Sequence, residues 1–273
     1  MAQKTSWGAV AGWYDEMLTD SDDSYQKNVI MPNLIRLLEP KKGLRVLDLA
    51  CGQGYFSRAF AQNGAQVIGT DISPELIDLA KRNSTTTTSS QESESGRNPP
   101  KPQTSSLEFK VSPADQLPFL EDGSIDAITI VLALQNIENL PGTLAECARV
   151  LKVGGRLLII LNHPAFRVPQ NSSWQWDEEN SKQYRRIDSY MSDKTLKIDM
   201  TPGEVNTHKK QFTVTFHRPL QSYFKALNKA GLSVTRLEEW ISHKKSQKGP
   251  RAEEEDRIRK EIPMFVCLEA GKK

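Results

Sequence analysis

The fold class of this chain can be recognised from one stretch, Val46-Leu47-Asp48-Leu49-Ala50-Cys51-Gly52-Gln53-Gly54. A short apolar run ends in a loop with two glycines, and the following residues, Tyr55–Asn63, have helical character. Glycines at such a turn let the backbone approach a ligand that a Cβ would push away. The stretch therefore predicts the first strand, turn and helix of a ligand-binding βαβ unit.

Strands and helices alternate on the carboxyl side of this turn. Apolar runs without polar alternation are typical of strands in a parallel sheet covered by helices on both faces. The predicted strands are 44–49, 66–70, 107–111, 125–132 and 156–161, and the predicted helices between them include 73–82 and 140–151. A helix over 220–230 and two strands, 233–239 and 263–269, follow nearer the C-terminus.

Two segments interrupt this pattern. Residues Ser84–Ser106 are rich in Ser, Thr and Pro and contain no aliphatic or aromatic side chain, which predicts a mobile surface insertion. Residues 162–218 are polar and aromatic, and we expect them to fold as a cap inserted after the fifth strand. In this segment the alternation of Phe212, Val214 and Phe216 with threonines predicts a half-buried strand. With these additions the 273 residues are predicted to form a single domain.

Composition excludes several classes of protein. The formal net charge of +2 argues against nucleic-acid binding through bulk charge. Three widely spaced cysteines without a CxxC pair suggest neither a disulfide framework nor a zinc site. No apolar run approaches the ~20 residues that span a bilayer, and Met1–Val10 lack the apolar region of a signal peptide. We therefore expect a cytoplasmic protein without a membrane partner.

Two carboxylates near the glycine turn indicate the kind of cofactor. Asp71 ends the second strand, where a carboxylate accepts hydrogen bonds from both ribose hydroxyls of an adenosine group. Asp48 precedes the turn, and Ser57 stands where a dinucleotide site has its third glycine. A carboxylate there would repel a pyrophosphate but attract an ammonium and a sulfonium. The electrostatics favour S-adenosylmethionine over NAD.

Four ordered segments carry a family resemblance: VLDLACGQGYFSRAF, VIGTDISPELIDLA, ADQLPFLEDGSIDAITIVLALQNI and LAECARVLKVGGRLLII. They resemble the successive motifs of class I S-adenosylmethionine-dependent methyltransferases, most closely the small-molecule type. The resemblance covers residues 10–161 strongly. It implies a Rossmann-like α/β fold, with a seven-stranded, mostly parallel sheet, helices on both faces and an antiparallel last strand.

The resemblance also implies cofactor-binding roles for matching positions. Asp48, Ala50, Gly52 and Gly54 would line the methionine end of S-adenosylmethionine, Asp71 would hold the ribose, and Ile72 would pack on the adenine. Ala50 replaces a glycine that is frequent in the family. Ala114 and Asp115 would face the adenine edge, although Pro113 departs from the acidic or amide residue often found there. Val131 and Leu132 would lie under the cofactor.

The reaction implied is an in-line displacement that requires alignment and exclusion of water. The fourth strand ends in Leu132-Ala133-Leu134-Gln135-Asn136. This is not the Asn/Asp-Pro-Pro-aromatic sequence that nucleobase methyltransferases use, and it lacks the Asp of metal-dependent catechol-type enzymes. We therefore predict no metal and no DNA substrate.

Several residues are candidates for catalysis or substrate binding. His163 directly follows the fifth strand, at the edge where such sheets bind ligands, and is the candidate general base; a structural hydrogen bond is the equal alternative. Asn136 and Gln135 are candidates to orient substrate. The resemblance places Tyr14 near the transferred methyl group, and Tyr25 could line the substrate side; ordinary packing of aromatic residues is the alternative. Trp174 could line a substrate pocket and Arg218 could pair with an acidic substrate group, unless they only stabilise the cap.

The function predicted is methyl transfer from S-adenosylmethionine to an O or N nucleophile of a small molecule. Three alternatives stay open: a methyltransferase acting on protein or tRNA, a non-catalytic S-adenosylmethionine-binding module, and an NAD dehydrogenase. A macromolecular substrate predicts a basic, exposed mouth around the cofactor site. A non-catalytic module predicts a cofactor site without an adjoining cavity.

Overall fold

A computed structural model describes residues 7, 8, 12, 23–89, 107–200 and 210–272. Eleven strands and six α-helices lie within these ranges. The strands are β1 (Arg45–Leu49), β2 (Gln66–Asp71), β3 (Leu107–Val111), β4 (Ile125–Val131), β5 (Leu151–Asn162), β6 (Ser172–Asp177), β7 (Lys182–Ile187), β8 (Lys194–Asp199), β9 (Phe212–His217), β10 (Leu232–Trp240) and β11 (Phe265–Lys272). The helices are α1 (Met31–Leu38), α2 (Tyr55–Gln62), α3 (Pro74–Ser89), α4 (Leu140–Val150), α5 (Leu220–Lys229) and α6 (Ala252–Glu261). A π-helical turn, Gln26–Ile30, precedes α1, and a 3₁₀ turn, Leu134–Asn136, follows β4.

Seven strands form one sheet in the order β10-β11-β5-β4-β1-β2-β3. The pairs that join β5, β4, β1, β2 and β3 are all parallel. β11 runs antiparallel to both β5 and β10. The predicted Rossmann-like sheet with an antiparallel last strand is confirmed. In this order the loops after β1, β2 and β3 lie on one side of β4, and the loop after β5 lies on the other.

Successive strand residues pack on opposite faces of the sheet, so the core has two halves. On one face Val46 and Leu158 pack with residues of α1 and α2, including Phe60. On the other face Leu47 and Ile128 pack with residues of α4 and α5. Both faces exclude water, which is why these strands lack polar alternation.

Helix α3 begins as predicted but extends further. Ser73 caps it, since its Oγ accepts a hydrogen bond from the Leu76 amide at 3.2 Å, and Pro74 is the first helical residue. The helix was predicted to end near 82 but continues to Ser89, into the stretch predicted to be mobile. The Ser84 hydroxyl donates to the Ala80 carbonyl at 2.8 Å, which lets a residue of low helix propensity stay in the helix. The rest of that stretch, 90–106, lies outside the described residues.

Two β-hairpins fold from the chain after β5. β6 pairs with β7, and β8 pairs with β9, each in an antiparallel two-stranded sheet. In β9 the buried side chains are Thr213, Thr215 and His217, whereas Phe212 is exposed. The strand was predicted, but apolar alternation favours the opposite face for burial. No described helix is long and apolar enough to cross a membrane.

Candidate active site

The glycine turn after β1 has a left-handed backbone at three positions. Ala50, Gly52 and Gly54 have φ values of 58°, 57° and 79°. The Cys51 amide donates to the Thr70 carbonyl at 2.8 Å, which ties the turn to β2. A left-handed alanine is uncommon, and such strain concentrates at functional sites. The turn is therefore held in a tight conformation at the carboxyl end of the sheet.

Phe109 of β3 supports this turn from below. A Cβ added to Gly54 would lie 2.6 Å from Phe109 Cζ, and one added to Gly69 would lie 2.6 Å from Phe109 Cδ1. The aromatic ring thus fills space that two missing side chains leave. Gly54 is required for packing as well as for its backbone conformation.

Asp71 holds the turn and the start of α3 together. Its Oδ2 accepts from the Gly52 amide at 3.0 Å, and its Oδ1 accepts from the Ser73 amide at 2.9 Å. Burial raises the pKa of this carboxyl, and the backbone amides oppose that rise. A carboxylate has about four lone-pair sites, so each oxygen can accept one further hydrogen bond. This capacity matches the two hydroxyls of a ribose.

Asp48 lies deeper than its predicted role implies. Its side chain is 1% exposed and accepts hydrogen bonds from the Ser57 hydroxyl at 2.5 Å and the Thr129 hydroxyl at 2.9 Å. Burial raises its pKa to about 6, the two hydroxyls oppose this, and the charge of Asp71 adds to it. The Asp48 carboxylate therefore acts on a ligand through its charge rather than as an open hydrogen-bond acceptor. Two neighbouring buried carboxylates favour a cationic ligand.

The predicted adenine side has exposed apolar surface. Ile72 is 42% exposed and Val111 is 50% exposed, and they lie at the ends of the neighbouring strands β2 and β3. Ala114 is half-buried in the loop after β3. In the same loop, Asp115 accepts from the Asn139 side-chain amide at 2.6 Å through one carboxylate oxygen. An apolar surface beside this carboxylate suits an adenine ring with its exocyclic amine.

The residues present fit S-adenosylmethionine. The turn is narrow enough for close approach, Asp71 has acceptor capacity for a ribose, and the buried carboxylates suit an ammonium and a sulfonium. These properties come from the side chains and the φ angles of the turn itself. Burial also raises the pKa of the Cys51 thiol, as expected of an apolar filler rather than a nucleophile.

A second strained residue, Leu132 with φ of 52°, ends β4. Its carbonyl accepts from the Gln135 side-chain amide at 2.8 Å and from the Asn136 side-chain amide at 3.3 Å. Donation by Gln135 Nε2 fixes the orientation of that amide group, so Gln135 Oε1 points away from the Leu132 carbonyl. Gln135 Oε1 is buried and has no hydrogen-bond partner among the described residues. Val131 and Leu132 are half-buried beside it.

A cavity of about 340 Å³ opens beyond β4 and β5. Its lining includes Gln135, Asn162, Arg167, Arg185 and Arg218. This volume lies within the roughly 300–1,000 Å³ typical of small-molecule sites. None of the predicted cofactor-binding residues lines the cavity. Gln135 connects the two regions, because it lines the cavity and its side chain bonds to the Leu132 carbonyl at the end of β4, the strand that pairs with β1.

His163 is nearly buried, and both ring nitrogens are engaged. Its Nε2 lies 2.7 Å from Glu239 Oε1, and its Nδ1 accepts from the Ala165 amide at 3.2 Å. Burial lowers the pKa of the imidazole, although Glu239 opposes this. The ring is therefore neutral at pH 7, with its proton on Nε2 and no free nitrogen. This arrangement does not support a general base and instead joins the end of β5 to β10.

We expect His163→Ala to lower the free energy of unfolding by about 2–3 kcal/mol at pH 7.5, because a buried hydrogen bond and a buried ring are lost. The folded pKa lies below 6.5, so stability present above pH 6.5 is lost as pH falls below it. The variant lacks this loss, and its deficit should narrow at pH 5.5. Urea unfolding at both pH values measures this, with S-adenosylmethionine affinity unchanged.

His243→Ala is the matched control, because His243 makes a similar 2.7 Å contact with Asp23 at a more exposed position. Its expected cost is below about 1 kcal/mol. Equal stability losses in the two variants would contradict the conclusion that the buried His163 side chain joins β5 to β10.

Two other sequence-predicted residues, Trp174 and Tyr25, lie apart from the cavity lining. Trp174 stacks under the Arg185 guanidinium at 5.0 Å, so it supports the cavity wall rather than facing a ligand. Tyr25 packs edge-on against Phe265, and its hydroxyl lies 3.2 Å from Ser242 Oγ. Tyr14 lies outside the described residues. Arg218 lines the cavity, and Asn136 lies one residue from Gln135. Their predicted roles toward a substrate stay predictions.

Sequence reasoning missed Arg167 and Arg185. Arg167 follows β5 by five residues, and a cation just beyond the carboxyl end of a strand is a signal that could have identified it. Arg185 lies within a hairpin strand, where no local pattern distinguishes it from the exposed Arg186. No cluster of three or more potential metal-ligating His, Cys, Asp or Glu residues occurs in the described ranges. The prediction of no metal stays a prediction.

Comparison with known proteins identifies the domain. Residues 47–159 match the family model described as "Methyltransferase domain". The match begins in β1 and ends in β5, and it includes the glycine turn, Asp71 and Gln135. In structure, the S-adenosylmethionine-dependent methyltransferase from Mesorhizobium loti covers 92% of this chain and 99% of its own at a TM-score of 0.65 and 22% identity. At this low identity, the TM-score shows that the two chains have a common fold.

Relatives in sequence are similar over part of their length. The chain is 32% identical over 153 residues to "Ubiquinone biosynthesis O-methyltransferase" of Xanthomonas axonopodis pv. citri, covering 54% of each protein. It is 36% identical over 130 residues to "Demethylmenaquinone methyltransferase" of Tropheryma whipplei, covering 47% of this chain and 46% of that one. The matches thus span about half of these relatives.

Proposed function

We propose that this protein transfers a methyl group from S-adenosylmethionine to an O or N nucleophile of a small molecule. The observation that carries this proposal is the cavity of about 340 Å³ that Gln135 lines, since the Gln135 side chain also bonds to the Leu132 carbonyl at the end of β4. A non-catalytic binding module requires no such cavity beside its cofactor site. The volume lies in the range of small-molecule sites, and the three arginines that line the cavity are half-buried rather than spread over an exposed basic face for RNA.

The chain's own residues would hold the cofactor at the ends of β1, β2 and β3. Asp71 would accept the ribose hydroxyls, Ile72 would pack on the adenine with Ala114 and Asp115 at its edge, and Asp48 would attract the positive end. The turn 50–54 would place backbone against the methionine part. Bound S-adenosylmethionine supplies a methyl group activated by its sulfonium.

Gln135 is the group that we assign to the nucleophile. Its Oε1 is a buried acceptor without a described partner, and such an atom costs about 1–3 kcal/mol when left unpaired. An O–H or N–H of the acceptor molecule would satisfy it. The hydrogen bond would fix the orientation of the nucleophile, which is the main requirement of an in-line displacement. Names of relatives that act in quinone biosynthesis support a small-molecule acceptor.

The test uses cofactor with an isotopically labelled methyl group. Calorimetry should first show that the full chain binds S-adenosylmethionine. The chain and labelled cofactor are then incubated with a metabolite extract, a protein extract and tRNA in parallel. Label in the low-mass fraction supports the proposal. Label in protein or tRNA alone would assign the macromolecular alternative, and cofactor binding without transfer to any fraction would favour the non-catalytic module.

Gln135→Met should lower turnover of the identified acceptor roughly 10- to 100-fold, because one oriented hydrogen bond to the nucleophile is lost. S-adenosylmethionine affinity should not change, since Gln135 lies on the β5 side of Leu132. Steady-state kinetics and calorimetry measure the two quantities. Gln116→Met, an exposed position, is the control. Equal turnover in parent and Gln135→Met would refute this role.

A further inference from the structure

Three arginines converge on the cavity beyond β4 and β5, from three separate parts of the chain. Arg167 comes from the loop after β5, Arg185 from β7 and Arg218 from the end of β9. None of the described residues that line the cavity is Asp or Glu. Three half-buried guanidinium groups without a carboxylate in the same cavity are unusual unless an anionic ligand binds beside them.

The polar partners of Arg185 and Arg218 are neutral. Arg185 donates to the Phe166 carbonyl at 2.9 Å and to Ser172 Oγ at 2.7 Å. Arg218 donates through Nη2 to the Ile137 carbonyl at 2.9 Å and the Glu138 carbonyl at 2.8 Å. These bonds orient both guanidinium groups without neutralising them.

Some donor capacity in the cavity is unused. Arg218 Nη1 is buried and has no hydrogen-bond partner among the described residues. The Arg167 side chain makes no hydrogen bond or ion pair with any residue in the described ranges. Burial lowers the pKa of the Arg167 guanidinium. Burial also lowers the pKa of the Arg185 guanidinium, and the charge of Arg167 lowers it further. Because both arginines line the same cavity, their positive charges repel each other, and an anion between them would relieve that repulsion.

We propose that Arg167, Arg185 and Arg218 bind a carboxylate or phosphate group of the methyl acceptor. Guanidinium forks match both groups, since each presents two or more oxygens in one plane or face. This assignment deepens the proposed function and rests on it, because the same cavity would receive the acceptor. With the anionic group at the arginines and a hydroxyl or amine at Gln135 Oε1, the cavity would hold an acceptor at two points of opposite polarity.

The first test measures anion binding to the cofactor-free, full-length chain. Inorganic phosphate and benzoate, at equal ionic strength, represent the two anion types, and calorimetry measures binding of each. We expect saturable binding of at least one probe, and the tighter of the two identifies the preferred group. Absence of saturable binding for both probes would overturn the proposal.

The second test compares adjacent arginines on β7. Arg185 faces the cavity, whereas Arg186 is exposed on the other face of the strand. Arg185→Met should raise the Kd of the bound probe at least ~10-fold, and Arg186→Met should leave it unchanged. Equal effects of the two substitutions would mean that the anion binds elsewhere, which overturns the assignment.

Arg167→Met guards against loss of structure, because Arg167 lacks a described side-chain partner. Removing one of two repelling cations should keep or raise the melting temperature in anion-free buffer. The rise in melting temperature with added phosphate or benzoate should fall at least by half. A variant that keeps the full anion-dependent rise would contradict the proposal.

The same samples are titrated with S-adenosylmethionine. If the cofactor binds but neither anion does, the anion site fails and the proposed function stands. If an anion binds as expected but the cofactor does not, the proposed function fails, and with it the assignment of this anion to a methyl acceptor.

Discussion

Replacing Asp71 with alanine is expected to weaken S-adenosylmethionine binding at least ~100-fold. Two hydrogen bonds from ribose hydroxyls to a charged acceptor are lost, and each is worth about 1.5–3 kcal/mol. The Gly52 and Ser73 amides, at 3.0 and 2.9 Å, also lose their acceptor, so the turn is held less firmly. Calorimetry with the purified variant measures the change.

Two further variants test whether the negative charge of Asp71 itself is what binds the cofactor. Asp71→Asn keeps one acceptor oxygen and should weaken binding roughly 10-fold, between parent and alanine variant. Asp78→Ala removes an exposed carboxylate from α3, the helix that follows Asp71, and should leave the affinity for S-adenosylmethionine unchanged. Thermal unfolding without cofactor checks that each variant is folded. Affinity of a folded Asp71→Ala within threefold of the parent would remove the ribose assignment.

Replacing Gly54 with alanine should lower the free energy of unfolding by about 3–5 kcal/mol. The new Cβ would lie 2.6 Å from Phe109 Cζ and 3.1 Å from Ala80 Cβ, in a core that cannot expand freely. Its φ of 79° adds about 1–2 kcal/mol of backbone strain. Urea unfolding measures the stability, and calorimetry should show weaker cofactor binding because the turn shifts.

Gly43→Ala is a matched control for the backbone contribution. Gly43 also has a positive φ, 88°, but nothing lies within 4 Å of an added Cβ, so only about 1–2 kcal/mol should be lost. Phe109→Leu in the Gly54→Ala background should recover part of the stability by making room, which a double-mutant cycle detects. Equal costs at Gly43 and Gly54 would show that contact with Phe109 is not what requires glycine.

Local pattern was enough to predict most of the sheet. Short runs rich in apolar residues identified β1, β2, β3 and β4, and capping residues identified the start of α3, because both signals depend on near neighbours in sequence. The end of α3 was not predicted, because a stretch rich in Ser and Thr is typical of a mobile segment. In α3 a hydroxyl group of this stretch, that of Ser84, bonds to a helix carbonyl instead. The buried face of β9 was also not predicted, because its threonines and His217 pack against distant residues.

The candidate site also has a part that local sequence predicted and a part that depends on contacts between distant residues. The cofactor side was predictable because its residues follow successive strand ends, and parallel strands bring those ends to one edge of the sheet. Asp48 was predicted to line the cofactor, but its bonds to Ser57 and Thr129 show that its carboxylate is enclosed. His163 was predicted from its position alone to be a base or to make a structural hydrogen bond. Its contact with Glu239, which is distant in sequence, favours the second alternative. The predicted cytoplasmic location stays a prediction.

What the residues alone establish about this protein is a methyltransferase fold with its cofactor turn, since spacing, glycines and apolar runs are local properties. The arginine-lined cavity depends instead on the folded chain. Arg167, Arg185 and Arg218 come from a loop and two different hairpins, and Gln135 comes from the end of β4. Their convergence follows from contacts of the two hairpins with the segments after β4 and β5, since Thr215 bonds to the Gln135 carbonyl and Arg185 bonds to the Phe166 carbonyl. Long-range packing of this kind leaves no pattern in any short stretch of sequence.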